Sequence, residues 1–149
     1  MIDGVAVRPL KQILDERGKI MHMLRRDDPH FSEFGEIYFS TVNPGVVKAW
    51  HGHRRMTLNY VCVFGAIKLV LFDARADSPT RGEVQEIFMG PENYVLATIP
   101  AEVINGFKGI SGYPSIVANC ATLPHDPDEI YRIDPFDNDI PYDWSLKNG

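Results

Sequence analysis

Residues 58–73 read LNYVCVFGAIKLVLFD, two apolar runs parted by a glycine. Leu58–Phe64 and Ile67–Phe72 are rich in Val, Leu, Ile and Phe, residue types that suit a pleated, half-buried surface. Gly65 between them predicts a tight hairpin. Ile67, Leu69 and Leu71 alternate with Lys68, Val70 and Phe72, a period of two with one inward face.

The same grammar extends in both directions. Further strands are expected at Val5–Leu10, Lys19–Leu24, Glu36–Val42, Val46–Trp50, Val84–Phe88, Tyr94–Ile99, Ile104–Lys108 and Ser115–Ala121. Asn43-Pro44-Gly45, Ser78-Pro79, Arg81-Gly82, Gly90-Pro91 and Gly112 separate them as turns. No long stretch keeps a 3.6-residue period; Asp27–Gly35 is expected to hold one helical turn, capped by Asp27 or Asp28. Many short strands with little helix predict an all-β sandwich or barrel. The tail from Leu123 is rich in Pro and Asp, yet Tyr131, Phe136, Tyr142 and Trp144 need surfaces to pack on, so it reads as an ordered strap across the barrel.

At 149 residues the chain is expected to form a single domain, residues 1–149. Its net charge of −5 argues against a nucleic-acid partner, which would demand a basic excess. No apolar run approaches a membrane span, and the opening MIDGVAVRPLKQ lacks the order of a signal peptide. Cys62 and Cys120 lie in apolar runs and read as buried, reduced thiols, which together with these absences suggests a cytoplasmic protein without a membrane partner.

The stretch with most chemistry is Val47-Lys48-Ala49-Trp50-His51-Gly52-His53-Arg54-Arg55. Strand alternation gives His51 and His53 one face and Lys48 the other, unless Gly52 or a bulge breaks the pattern. That face is either a cavity wall or a solvated edge. An HxH pair also raises the question of a metal. No carboxylate follows closely, the later Ile104-Asn105-Gly106 supplies no histidine, and Glu102 alone remains as a further ligand. Two histidines followed by two arginines suit an anion better than a divalent cation, so neither metal nor cofactor is expected. Tyr38 and Tyr60 read as core residues with tethered hydroxyls.

The order of motifs resembles the dTDP-4-dehydrorhamnose 3,5-epimerase family. The matching segments are Asp15-Glu16-Arg17-Gly18, Lys48-Ala49-Trp50-His51, Asp73-Ala74-Arg75, Ser78-Pro79-Thr80-Arg81-Gly82, Pro91-Glu92-Asn93, Ile99-Pro100 leading to Asn105-Gly106-Phe107, and Ile133-Asp134-Pro135. No one of them is specific; their collinear order is. The resemblance implies a cupin-like jelly-roll barrel and a homodimer. The implied substrate is a nucleoside-diphospho-4-keto-6-deoxy sugar, the implied role surface polysaccharide synthesis. Proton removal next to the ketone and reprotonation from the other face give epimerisation at C3, C5 or both. It also implies roles: His51 as base, Asp134 as the carboxylate orienting it, and Lys48 at the enolate oxygen or a phosphate. Arg17 becomes a nucleotide-phosphate contact, and His53, Arg54, Asn59 and Asn105 further substrate contacts. The family's opposite-face tyrosine is absent, because Ala118 or Asn119 stands in its place; Tyr60 is the candidate to replace it, with Tyr38 as alternative. The same residues leave two rival readings. One is a 3,4-ketoisomerase, whose R-G-x-H-x-H strand is similar to Lys48–His53; the other is a sugar-nucleotide-binding barrel without activity.

Overall fold

The computed structural model describes residues 1–148 and contains twelve strands and no helix among them. In chain order these are β1 (Ala6–Pro9), β2 (Gln12–Asp15), β3 (Gly18–Met21), β4 (Glu36–Val42), β5 (Val47–His53) and β6 (Leu58–Phe64). There follow β7 (Ile67–Asp73), β8 (Val84–Met89), β9 (Val95–Ile99), β10 (Val103–Gly109), β11 (Ser115–Ala121) and β12 (Ile130–Arg132). All named strand pairs are antiparallel. One five-stranded sheet runs β1-β9-β6-β11-β4 and the other β12-β5-β10-β7-β8, with β2 and β3 as a separate two-stranded arm.

Two opposed sheets explain the continuous apolar runs. Leu58, Tyr60 and Cys62 from one sheet meet Leu69, Leu71, Val103 and Phe107 from the other in the main core. The outward residues are covered too. Val61 and Leu96 lie under Leu10, Met21, Met23 and Leu24 from the N-terminal segment, and Val70 and Ile104 lie under the tail. β6 and β7 therefore bury both faces, which strict polar alternation would forbid. Gly65 holds φ at 74°, a left-handed turn conformation that a glycine adopts without steric cost.

The tail forms the strap the sequence predicts. Trp144 packs at 4.9 Å from Trp50 and Tyr142, and Lys108 Nζ donates to the Trp144 carbonyl at 2.8 Å. Phe136 departs from that expectation and lies exposed at the strap's surface. The helical turn expected over Asp27–Gly35 is instead a pair of turns closed by Asp28 N to Arg25 O and Phe31 N to Asp28 O. Two short strands, β2 and β12, were not expected; one lies on a charged exposed arm and the other in the Pro/Asp-rich tail. No helix of the described residues is long and apolar enough to cross a membrane.

The segments Asp73-Ala74-Arg75 and Ser78-Pro79-Thr80 meet in one knot. Fully buried Asp73 accepts from Arg75 Nε and Nη2, both at 2.9 Å, and from Ser78 Oγ and Thr80 Oγ1, both at 2.6 Å. The Arg75 guanidinium, then the two hydroxyls, holds the Asp73 carboxylate far below its ordinary range, against its burial. Arg75 also donates to the Asp3 carbonyl, tying the N-terminus to the β7–β8 connection.

Candidate active site

The site begins with an irregularity in β5. Asn105 pairs with His51 and Phe107 with Lys48, so the β5 side of the ladder carries an extra residue. This bulge over Ala49 and Trp50 sends Trp50 outward to the strap and brings Lys48 and His51 to the same cavity. Gly106 makes the bulge feasible, because a Cβ there would collide with the Cβ of Ala49. Beyond the bulge alternation resumes. His51 and His53 both line the cavity, with ring centroids 5.9 Å apart.

The cavity has a volume of about 350 Å³ and lies between the two sheets. Lys48, His51, His53 and Arg132 form its cationic and imidazole wall; Tyr38, Ser40, Tyr60 and Asn119 face them from the other sheet. Lys48 Nζ reaches across the gap to Ser40 Oγ at 2.6 Å and the Thr41 carbonyl at 3.1 Å.

His51 Nε2 shares a hydrogen bond with Tyr60 Oη at 3.1 Å. Asn105 supports both groups: its Oδ1 accepts from Tyr60 at 3.4 Å, and its Nδ2 donates to the His51 carbonyl at 3.3 Å. Burial pushes the His51 pKa down from 6.5 to about 4, and His53, Arg132 and Lys48 add to the effect. The imidazole is therefore neutral at pH 7. Burial, then the neighbouring Tyr38, holds the Tyr60 phenol well above its ordinary range.

His53 is anchored differently. Its Nδ1 donates to Glu129 Oε2 at 2.7 Å, and both side chains are buried. Glu129 Oε1 accepts the backbone N–H groups of Arg55 at 2.6 Å and Met56 at 2.8 Å. Burial opposes ionisation of Glu129, but these N–H groups and His53 together hold its pKa below the ordinary range. Sequence reasoning missed Glu129. Its signal is faint: an acid immediately before the Ile130-Tyr131-Arg132 strand, in a tail with many acids.

A stability consequence follows from His51. Its pKa is depressed on folding, so the unfolded chain binds more protons than the folded one between about pH 6.5 and 4. Stability is expected to fall as pH drops through that window, by at most about 3 kcal/mol from this group. Thermal melts of wild type and His51→Asn at pH 7 and pH 4.5 check it: the wild type should lose more. Equal losses would show that His51 does not resist protonation.

Several expected site residues lie elsewhere. Asp134 is exposed, and its Oδ1 accepts the N–H groups of Phe136 at 2.8 Å and Asp137 at 3.1 Å. It shapes a turn of the strap rather than orienting His51; the β12 register sets Arg132, not a carboxylate, opposite His51. Tyr60 and Asn105 support the imidazole instead. Arg54 points away from the cavity, its guanidinium 5.7 Å from the centre of the Tyr131 ring. Asn59 faces out of the cavity because Tyr60 faces in; it ties β6 to Cys120 O at 2.9 Å and to Thr98 Oγ1 at 2.9 Å. Asn105 is fully buried behind His51 and does not line the cavity. Arg17 sits at the tip of the β2–β3 arm, paired with Asp15 and far more exposed than buried. Cys62 and Cys120 are buried and free. Among the described residues, no group of three or more His, Cys, Asp or Glu side chains is placed to hold a metal ion.

Comparison with known proteins gives a consistent result. The chain is 34% identical over 149 residues to a spore coat polysaccharide biosynthesis protein of Bacillus subtilis, covering 99% of each chain. It is 39% identical over 144 residues to a probable low-salt glycan biosynthesis epimerase of Haloferax volcanii, covering 95% of this chain and 89% of that one. The crystal structure of a dTDP sugar isomerase from Desulfovibrio desulfuricans superimposes with a TM-score of 0.92 at 42% identity, covering 99% of this chain and 94% of that one. The family model for dTDP-4-dehydrorhamnose 3,5-epimerase matches residues 1–148, and the chain belongs to that family of sugar-nucleotide isomerases.

Proposed function

We propose that this protein epimerises a nucleoside-diphospho-4-keto-6-deoxy sugar next to its ketone, with His51 as the base, in the synthesis of a polysaccharide or glycan. The observation that carries the residue assignment is a neutral imidazole held in a cavity against a wall of hydroxyls. A C–H beside a carbonyl yields to such a base when the enolate is stabilised. Lys48 and Arg132 supply positive charge within the same cavity, for the enolate oxygen or a phosphate. At about 350 Å³ the cavity is at the small end for ligand sites. It suits the sugar, with the nucleotide lying along the mouth.

To test this, the protein is incubated with a dTDP-linked 4-keto-6-deoxyglucose and the recovered sugar is analysed by NMR. Inversion at C3, C5 or both is expected. Unchanged sugar after long incubation refutes the activity, and a carbonyl moved to C3 would make the protein a ketoisomerase, a reading the family comparisons do not favour.

The working form is a homodimer on this reading. Ile13, Leu14 and Ile20 are exposed on the β2–β3 arm, as are Ile37 and Phe39 on edge strand β4. An uncovered edge with apolar side chains suits a second copy. Arg17 does not line the cavity of His51, so its phosphate role depends on such a contact. Sedimentation equilibrium is expected to give twice the chain mass; a monomer at micromolar concentration would remove that role. The cytoplasm suits two reduced thiols.

A further inference from the structure

No carboxylate orients His51: Asp134 lies in a turn of the strap, and Glu129 serves His53. Neutral groups behind the ring take that part. They start at Asn105, which is fully buried on β10 and pairs with His51. One arm of its amide meets the His51 carbonyl at 3.3 Å, the other Tyr60 Oη at 3.4 Å. A carbonyl only accepts, so the arm facing it is the Nδ2 donor. The other arm is then Oδ1, which also only accepts, so the Tyr60 proton points at it.

With its proton committed to Asn105, the Tyr60 oxygen faces His51 Nε2, 3.1 Å away, as an acceptor. Nε2 therefore carries the imidazole proton, and Nδ1 keeps the lone pair. In the reverse arrangement Tyr60 would donate to a bare Nε2 and strand Asn105 Oδ1, fully buried, without a donor. Stranding a buried acceptor disfavours that form about 5- to 150-fold. The other sheet agrees. Asn119 Oδ1 accepts the Asn59 backbone N–H at 3.1 Å, which fixes the amide, and its Nδ2 donates to Tyr38 Oη at 3.0 Å. The Tyr38 proton is thereby left for the second lone pair of Tyr60. Nδ1 is also the open nitrogen of His51. Among the described residues it has no hydrogen-bond partner, yet it is not sealed from solvent, and His51 lines the cavity.

We propose that Asn105, acting through Tyr60, fixes His51 in its Nε2–H form and so makes Nδ1 the atom that takes the substrate proton. This rests on the epimerase reading above. The C–H proton goes to Nδ1, and the C–H electron pair becomes the enolate. Nε2–H stays on Tyr60 throughout, so the imidazolium is held by the same bond as the imidazole. Asn105 and Tyr60 are positioning residues, and the substrate exchanges its proton with neither.

The test reads the tautomer directly. Long-range proton–nitrogen NMR of the isotopically labelled protein at pH 7 separates a protonated ring nitrogen from a bare one. The His51 signals are those missing from His51→Asn. The wild type should show Nε2 protonated and Nδ1 bare. Asn105→Leu removes the acceptor of the Tyr60 proton, which then turns to Nε2, and the Nδ1–H form should become the main one. Its kcat should fall about 5- to 150-fold with KM little changed. Asn105→Asp restores an oxygen for the Tyr60 proton and should return the Nε2–H form with most of the lost rate. A wild type with Nδ1 protonated overturns the proposal, whether or not Asn105→Leu folds. A wild-type tautomer in folded Asn105→Leu overturns the part given to Asn105, and a reversed tautomer with unchanged kcat overturns that of Nδ1. If Nε2 is protonated in the wild type and the 4-keto sugar is left unchanged, the epimerase reading falls instead, because the tautomer is read without substrate.

Discussion

Replacing His51 by Asn is expected to slow epimerisation by about 10³-fold while leaving the folded protein intact at neutral pH. A positioned general base contributes roughly 10²–10⁴-fold to such a step. Asparagine can still hydrogen-bond to Tyr60 but cannot accept a substrate proton. The cavity keeps Lys48, His53 and Arg132, so substrate affinity should change little. The effect should therefore appear in kcat rather than KM, which locates it in the chemical step. Steady-state kinetics with near-UV circular dichroism as a control for folding checks it. A loss smaller than about tenfold would remove His51 from the role of base.

Asp73→Asn is expected to produce the largest loss of stability with the smallest effect on chemistry. The native carboxylate is fully buried and compensated by Arg75, Ser78 and Thr80. Removing one partner of a buried ion pair costs about 3–5 kcal/mol, because the other charge is left uncompensated. For a chain of this size that is about 10 °C or more in Tm. The Asp73 pKa is depressed on folding, so its stabilisation is complete above the unfolded value near 4. It is lost only as pH falls from there toward the much lower folded value. At neutral pH the variant should therefore show the full deficit. None of these residues lines the cavity, so kcat at 20 °C should remain close to wild type. A Tm within about 2 °C of wild type would show that the knot is dispensable.

This separation of roles bears on what the sequence could disclose. The strands from Glu36 to Ala121 are legible because β6, β7, β10 and β11 carry apolar residues on both faces and end at glycine, proline or polar turns. β2 and β12 were hidden: neither is apolar enough to announce itself, and each owes its strand form to a partner, β3 in one case and β5 in the other. The turns over Asp27–Gly35 have helix-capping residues at their start, yet no apolar stripe follows to stabilise a helix.

In the site, shared facing of His51 and His53 follows from alternation alone. The placement of Lys48 beside them does not, because the bulge at Ala49 and Trp50 depends on how β5 meets Gly106 of a distant strand. The support for His51 was misread for a related reason. Asp134 has the right chemistry and a matching place in the motif order. The register of a short strand in the tail nevertheless brings Glu129 to His53 and leaves Asp134 in a turn. Which side chains meet across two sheets is a matter of register, and register is not written in any one segment.

The most direct measurement is proton NMR of the wild-type protein with its 4-keto-6-deoxy nucleotide sugar in heavy water, followed over time. The signal of at least one proton on a carbon flanking the ketone should fade as solvent deuterium enters, with the inverted sugar appearing at the same carbon. If every flanking proton persists while the sugar turns over, or the sugar changes configuration without deuterium uptake, then His51 is not taking protons from these carbons and the account is wrong.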